Sequence, residues 1–178
     1  MKINTLELLK KLQKRYGVRG KPSGSFGKIM QKLLALAFSE LGYRNIVERG
    51  TQGVDIDITS GQTKFAVEAK VTEGTSIVIS PDNIQALKER GYDGYEPLIV
   101  VLQLAPLENW KCARLAADEI PTGEILIESL RRWRIKDLET KLSAVFDGVV
   151  EKHFSGVEQD GEQYLKKQLR QAGITSKE

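Results

Sequence analysis

Two residue types that build many catalytic and metal sites are almost absent from this 178-residue chain, which has one cysteine and one histidine. Cys112 alone cannot form an internal disulfide or a cysteine-rich metal site, and such sparse use of cysteine is typical of a reducing cytosol. Zinc sites with paired histidines are excluded. Ser-His-Asp catalysis is disfavoured, because His153 lies in a helical pattern far from any nucleophile-like motif. We therefore expect a cytoplasmic protein whose chemistry uses other side chains.

Long apolar runs are also missing. The longest covers the six residues 33–38, which is much too short to span a bilayer. The first 17 residues interleave leucine with lysine and glutamate, unlike a signal peptide. A composition of 40% hydrophobic and 29% charged residues is that of a globular protein. We expect one soluble domain with no membrane partner.

Positive charge is concentrated at the start of the chain. Residues 1–32 contain nine lysines and arginines against one glutamate, although the net charge of the whole chain is only +3. Such a basic segment favours an anionic polymer, and nucleic acid is the simplest candidate. A solvated helix face explains the same pattern equally well. We expect residues 1–23 to form a basic arm, with Thr5 capping a helix over about 6–16 and Lys21 contacting DNA.

The most informative stretch runs from Gly53 to Lys70, where apolar and charged residues alternate on either side of a short polar turn. This pattern predicts two β-strands joined by a tight hairpin. If Gly61 and Gln62 form the two-residue loop, Asp55 faces Glu68 directly. The same register places every apolar side chain of the hairpin on one face, Val54 included.

Two carboxylates that face each other on a sheet need a shared proton or a cation. Mg²⁺ suits Asp55 and Glu68 because it prefers oxygen ligands at roughly 2.0–2.1 Å and is usually held by one or two carboxylates. Lys70 lies on the same strand face as Glu68 and could orient or deprotonate a water molecule. The alternative is a solvated surface on which Lys70 simply pairs with Glu68. Asp57 fits a solvent-facing neighbour better than a ligand.

Asp55, twelve intervening residues and then Glu68-Ala69-Lys70 resemble the PD-(D/E)XK nuclease superfamily, which includes many restriction endonucleases and archaeal Holliday-junction resolvases. The resemblance spans about residues 24–102. It implies an α/β/α sandwich with a central mixed β-sheet of the restriction endonuclease-like type. It also implies that Asp55, Glu68 and the carbonyl of Ala69 bind Mg²⁺, for which Mn²⁺ can substitute, while Lys70 positions the attacking water.

The sequence departs from this superfamily at two places. Gly53-Val54 stands where the superfamily name has proline, which is a common change. Many relatives place a glutamate near the metal on the first helix of the core, and the corresponding residue here is Gln31. We keep Gln31 among the candidate catalytic residues, although a neutral amide puts a second metal ion in doubt.

Three further residues are candidate DNA contacts. Ser25 and Lys28 lie near the start of a predicted helix, where free backbone N–H groups favour phosphate. In many relatives this region approaches the cleaved strand. Thr72 shares a strand face with Lys70 and is a further candidate phosphate contact, although plain polar surface explains it as well.

The rest of the chain completes a layered domain. The nuclease core is predicted over residues 24–104, with helices near 28–41 and 81–91 and a two-sided central strand at 97–104. Residues 105–178 are expected to be a mostly helical C-terminal extension, with helix at 107–117 and 123–134, a long helix around 138–153, and a last helix at about 157–172. A short strand at 124–128 is the alternative. Surplus apolar helix surface predicts a homodimer.

These patterns predict a metal-dependent endonuclease that hydrolyses phosphodiester bonds of DNA, with branched DNA as the first expected substrate and restriction-type cleavage as the second. The alternative is a catalytically silent nucleic-acid-binding or assembly module that uses the same scaffold.

Overall fold

The computed structural model describes residues 1–17, 24–49, 53–106 and 108–177, and at residues 24 and 25 it describes the backbone only. The α-helices in these ranges are α1 (Ile3–Tyr16), α2 (Gly24–Glu40), α3 (Pro81–Tyr92), α4 (Lys136–Asp160) and α5 (Glu162–Gln171). A 3₁₀ helix covers Ile127–Trp133. The strands are β1 (Arg44–Arg49), β2 (Ile56–Ser60), β3 (Thr63–Thr72), β4 (Ser76–Ile79), β5 (Tyr95–Gln103), β6 (Lys111–Arg114), β7 (Gly123–Leu126) and β8 (Thr175–Lys177).

Six of these strands form a central mixed sheet in the order β6-β5-β3-β2-β1-β8. The pairs β3/β5 and β1/β8 are parallel, and the other neighbours are antiparallel. From Pro97 onward every residue of β5 is buried, as expected for a strand that is covered on both faces. Strands β4 and β7 form a separate antiparallel pair.

Apolar side chains pack on both faces of the central sheet. One cluster joins α1, α2, α4 and α5 to the sheet and includes Leu34, Phe146 and Leu165. The second cluster joins α3 and the β4/β7 pair to the opposite face and includes Ile84 and Leu87. The predicted α/β/α sandwich with a central mixed sheet is therefore confirmed, and its second outer layer also contains the small sheet.

The hairpin of β2 and β3 has the register that the sequence predicted. Ile56 pairs with Val67 and Ser60 pairs with Thr63, so Gly61 and Gln62 form the two-residue loop. Gly61 has φ 58°, a left-handed conformation that glycine adopts without steric cost.

One residue beside the hairpin was placed on the wrong face. Ile56 packs with α2 in the first cluster, but Val54 is fully buried in the second cluster, on the α3 side. The strand begins only at Ile56, and Gly53, with φ 94°, turns the chain before it. Strand alternation therefore does not extend back to Val54.

The N-terminal segment differs from the prediction in two respects. Helix α1 begins at Ile3, so Thr5 lies inside the helix, where its buried hydroxyl donates to Asp147 Oδ1 at 2.5 Å. Leu9 and Leu12 are buried in the first cluster, which attaches this helix to the body of the protein. Its lysines remain exposed on the other side.

Residues 105–177 contribute more strand than expected. The predicted helix at 107–117 is wrong, because β6 lies there and carries the buried Cys112 beside β5. Strand β7 agrees with the alternative of a short strand near residue 124. Strand β8 was not predicted, and it pairs with β1. Strands of three or four residues are too short to show a periodic pattern.

The long helix α4 bears on the predicted homodimer. Leu142 and Phe146, which suggested a surplus apolar surface, are fully buried against other elements of the same chain. Dimerisation therefore remains a prediction. None of the helices in the described ranges is long and apolar enough to cross a membrane.

Candidate active site

The predicted carboxylate pair lies where β2 begins beside β3. Asp55 directly precedes β2, and its backbone N–H donates to the carbonyl of Val67 at 3.0 Å. Its carboxylate Oδ2 accepts the backbone N–H of Ala69 at 2.7 Å. The Asp55 carboxylate therefore binds the backbone of β3 just beyond Ile56 and Val67, the paired residues at this end of the hairpin. It lies next to Glu68.

Glu68 is almost completely buried, with 1% of its surface exposed. Its Oε1 lies 2.7 Å from Lys70 Nζ. Its Oε2 is also buried and has no hydrogen-bond partner among the described residues. A buried carboxylate oxygen without a partner is costly, so this atom is where a proton or a cation would be stabilising.

Lys70 is held by the helix layer as well as by Glu68. Its Nζ donates to Asn83 Oδ1 at 3.2 Å. Asn83 is the third residue of α3 and forms a capping box with Ser80, the predicted cap. The capped helix start thus fixes the amide oxygen that orients Lys70.

Both carboxylates are shifted toward the neutral form. The pKa of Glu68 is raised to about 7, first by burial and second by the neighbouring Asp55, while Lys70 acts in the opposite direction. The pKa of Asp55 is also raised, mainly by burial and to a smaller extent by Glu48, while the Ala69 N–H and Lys70 lower it. The pair therefore binds a proton or a cation more readily than two solvated carboxylates do.

The donor set fits a hard divalent cation. Asp55 and Glu68 supply carboxylate oxygens, and Ala69 follows Glu68 with its backbone carbonyl. No group of three or more histidine, cysteine, aspartate or glutamate side chains suited to a metal ion occurs within the described ranges. Mg²⁺ is commonly held by one or two carboxylates while water and substrate phosphate complete the octahedron, so two carboxylates suffice.

Gln31 is close to this pair but faces its backbone. Its Nε2 donates to the carbonyl of Asp55 at 2.9 Å and to the carbonyl of Arg49 at 2.6 Å. The same nitrogen lies 3.0 Å from Glu48 Oε1. Gln31 therefore contacts Asp55 through the backbone carbonyl of Asp55.

Sequence reasoning missed the buried pair beside Gln31. Glu48 is fully buried, and its Oε1 accepts from Lys32 Nζ at 2.8 Å. The signal was present in β1, where Glu48 shares a strand face with the buried Ile46. A carboxylate at an apolar strand position needs a buried partner, which is Lys32.

Asp57 is not solvent-facing, contrary to expectation. It is 1% exposed and accepts from two guanidinium groups. Arg49 Nη2 lies 2.7 Å from its Oδ2, and Arg90 binds both of its oxygens, at 3.1 Å and 2.8 Å. Both arginines bind the Asp57 carboxylate, so Asp57 forms a structural ion pair with them.

The candidate DNA contacts are only partly described. Lys21 lies outside the described residues, as does the side chain of Ser25. Lys28 is partly exposed in α2, and Thr72 is partly exposed at the end of β3, where its hydroxyl accepts the N–H of Gly74 at 3.0 Å. The predicted start of α2 near residue 28 is too late, since the helix begins at residue 24.

A cleft of about 350 Å³ lies beside Gln31 and Ala69 and also includes Thr72. Its lining comes from α1, α2, β3 and the segment after β5: Gln13, Gly17, Phe26, Gly27, Met30, Gln31, Ala69, Val71, Thr72, Glu73, Leu104 and Trp110. Ala69 and Gln31 belong both to the cleft and to the surroundings of Asp55. A larger cleft of about 780 Å³ lies at the opposite end of β5, beside Tyr95, and includes no candidate site residue.

Comparison with known proteins finds a likeness among solved structures. No family model matches the sequence, and a search of curated proteins finds no match. Among solved structures, the chain is similar to the 1.6 Å structure of Archaeoglobus fulgidus Hjc, a Holliday junction resolvase from an archaeal hyperthermophile. The identity is 20% and the TM-score 0.47, over 61% of this chain and 93% of that chain. This degree of likeness assigns no activity, so the chemistry has to be inferred from the side chains themselves.

Proposed function

We propose that this protein is a divalent-metal-dependent endonuclease that hydrolyses phosphodiester bonds of DNA. The observation that carries the proposal is the buried Glu68 beside Asp55, with one carboxylate oxygen unpartnered and the ammonium of Lys70 alongside. A surface ion pair would leave Glu68 solvated. Burying Glu68 beside the half-buried Asp55 is costly, and a role in metal-assisted hydrolysis would account for that cost.

In this proposal Asp55, Glu68 and the carbonyl of Ala69 hold Mg²⁺, with Mn²⁺ as a substitute. The bound ion would lower the pKa of a water molecule and offset charge that develops on the phosphate oxygens. The protein's own groups fix the site beforehand, because the N–H of Ala69 orients the Asp55 carboxylate.

Lys70 acts on the reacting groups directly. A lysine ammonium has three donors, and here one contacts Glu68 Oε1 and another Asn83 Oδ1. The third is available to hold the attacking water or a phosphate oxygen. Because Glu68 and Asn83 fix the Nζ position, this interaction needs little reorganisation when DNA binds.

DNA would approach over the cleft that joins Gly27 to Thr72. The exposed lysines of α1 and the partly exposed Lys28 of α2 supply positive charge next to it, and phosphate contacts of this kind give sequence-independent affinity. Lys21 and Ser25 remain candidates in the same region. We expect branched DNA as the first substrate and a specific duplex site as the second.

The experiment is a cleavage assay with Mg²⁺ or Mn²⁺ on linear duplex, four-way junction and single-stranded DNA. Lys70→Ala and Asp55→Asn should abolish cleavage and leave folding and DNA binding largely intact. Cleavage at the wild-type rate in either variant would end the assignment. A second candidate function is a non-catalytic nucleic-acid-binding module. It is favoured only by the hydrogen bonds that Gln31 donates to groups of the protein itself. DNA binding without any metal-dependent nicking of plasmid would support it.

A further inference from the structure

The side-chain amide of Gln31 is surrounded by acceptors. Its Nε2 lies 2.6 Å from the carbonyl oxygen of Arg49, 2.9 Å from that of Asp55 and 3.0 Å from Glu48 Oε1. An amide nitrogen has two hydrogens and no acceptor capacity. The position therefore requires a donor, which a carboxylate side chain would not provide.

Glu48 is held from two other directions. Its Oε1 also accepts from Lys32 Nζ at 2.8 Å, and its Oε2 accepts from the hydroxyl of Ser176 at 2.5 Å. Both Glu48 and Lys32 are buried, at 0% and 2% exposure. Lys32 and Ser176 thus hold the Glu48 carboxylate in the position from which its Oε1 accepts from Gln31.

These contacts converge on the main chain of Asp55. The carbonyl of Asp55 accepts from Gln31 and also from the backbone N–H of Arg49, at 3.0 Å. Gly53 and Val54, directly before it, belong to no strand. Hydrogen bonds to both the carbonyl and the carboxylate of Asp55 are therefore what set its position beside Glu68.

We propose that Gln31 and Glu48 are positioning residues for the metal centre. Gln31 ties Asp55 to α2, Glu48 orients Gln31, and Ser176 of β8 anchors Glu48, so the last described strand of the chain supports the centre. This inference rests on the proposed metal site, though not on the cleavage of any particular substrate. Partners that orient metal ligands in this way are worth about 10- to 100-fold in metal affinity.

The test is a Mn²⁺ titration of the purified chain followed by electron paramagnetic resonance, which needs no DNA. Gln31→Met keeps the length of the side chain but removes the donor, and it should weaken Mn²⁺ binding about 10- to 100-fold. Ser176→Ala should weaken it in the same direction by a smaller factor. If cleavage is measured as well, the Gln31→Met rate should recover as Mg²⁺ is raised.

Thr5→Val is the matched control, because it also removes a buried side-chain donor, the one that contacts Asp147. It should lower the unfolding midpoint as Gln31→Met does, yet leave Mn²⁺ affinity unchanged. Equal loss of Mn²⁺ affinity in the control would show that Gln31 acts only through stability, and would overturn the inference.

Gln31→Glu separates positioning from direct ligation. A carboxylate here would face Glu48 and two backbone carbonyls, so we expect Mn²⁺ affinity to fall at least as far as in Gln31→Met. Tighter Mn²⁺ binding in Gln31→Glu would mean that the side chain faces the ion, and the positioning role would be wrong. If the wild-type chain binds no Mn²⁺, the proposed metal site fails. If it binds Mn²⁺ but cleaves nothing, only the nuclease activity fails.

Discussion

The buried carboxylate of Glu68 predicts an unusual pH dependence of stability. In the folded chain its pKa is raised from 4.5 to about 7. A group whose pKa is higher when folded stabilises the protein fully below its unfolded pKa, and that contribution is lost as the pH rises through the folded pKa. Without divalent ions, Glu68 should therefore cost the chain about 2–3 kcal/mol of unfolding free energy between pH 5 and pH 8.

Glu68→Gln removes this titration while keeping the shape of the side chain and an oxygen that accepts from Lys70. The assay is urea unfolding of wild type and variant in EDTA at several pH values, with two-state analysis. Titrating groups that do not interact with Glu68 cancel in the difference between the two proteins. That difference should move in favour of the variant by about 2–3 kcal/mol as the pH rises from 5 to 8.

Adding Mg²⁺ at pH 8 should shift the stability difference between the two proteins back in favour of wild type. An ion that binds only the folded state stabilises it by about 2.7 kcal/mol when its concentration is 100 times its dissociation constant. Wild type should gain this stability, and Glu68→Gln should gain little. A stability difference that stays flat with pH, or equal stabilisation of both proteins by Mg²⁺, would refute the account of Glu68 as a buried ligand.

Three further predictions concern Asp57, the cleft beside Gly27 and the oligomeric state. Asp57→Asn should cost about 3 kcal/mol of unfolding free energy, because it leaves two arginines without their buried carboxylate, and should not change Mn²⁺ affinity. Loss of Mn²⁺ binding at unchanged stability would instead make Asp57 a ligand. Gly27→Phe places a ring in the cleft, where a Cβ meets no atom within 4 Å, and should weaken DNA binding in a fluorescence anisotropy titration by roughly tenfold, or 1.4 kcal/mol. Gly148→Phe in α4 has equally open space and is the control that should bind DNA normally; equal affinity of the two variants would place the DNA elsewhere. Light scattering at micromolar concentration should show a dimer, and a monomer mass would remove that prediction.

The hairpin of β2 and β3 could be predicted because its determinants are local. Period-two alternation over two short segments and a glycine at the loop fix the register, since a slip of one residue would move every apolar side chain to the other face. The opposition of Asp55 and Glu68 and the position of Lys70 on the face of Glu68 follow from that register. The start of α3 was equally local, because Ser80 and Pro81 are a strong helix start.

The prediction failed for strands that are too short to show hydrophobic alternation. Strands β6 and β8 have four and three residues, too few for alternation to show, and they are defined by the neighbours with which they pair. Val54 failed for a related reason, because the conformation of Gly53 breaks the alternation just before β2. Asp57 was predicted to face solvent because nothing in its own segment indicates that two arginines bind its carboxylate.

The sequence by itself therefore determined the mixed α/β layering, the hairpin register and the identity of the facing carboxylates. Only the tertiary structure decided that Glu68 is buried, that Asn83 holds Lys70, and that Gln31 contacts the backbone of Asp55. The physical reason is that desolvation depends on which elements cover a side chain. Here α2 and α3 pack on opposite faces of the sheet, and burial is the largest cause of the raised pKa of both carboxylates.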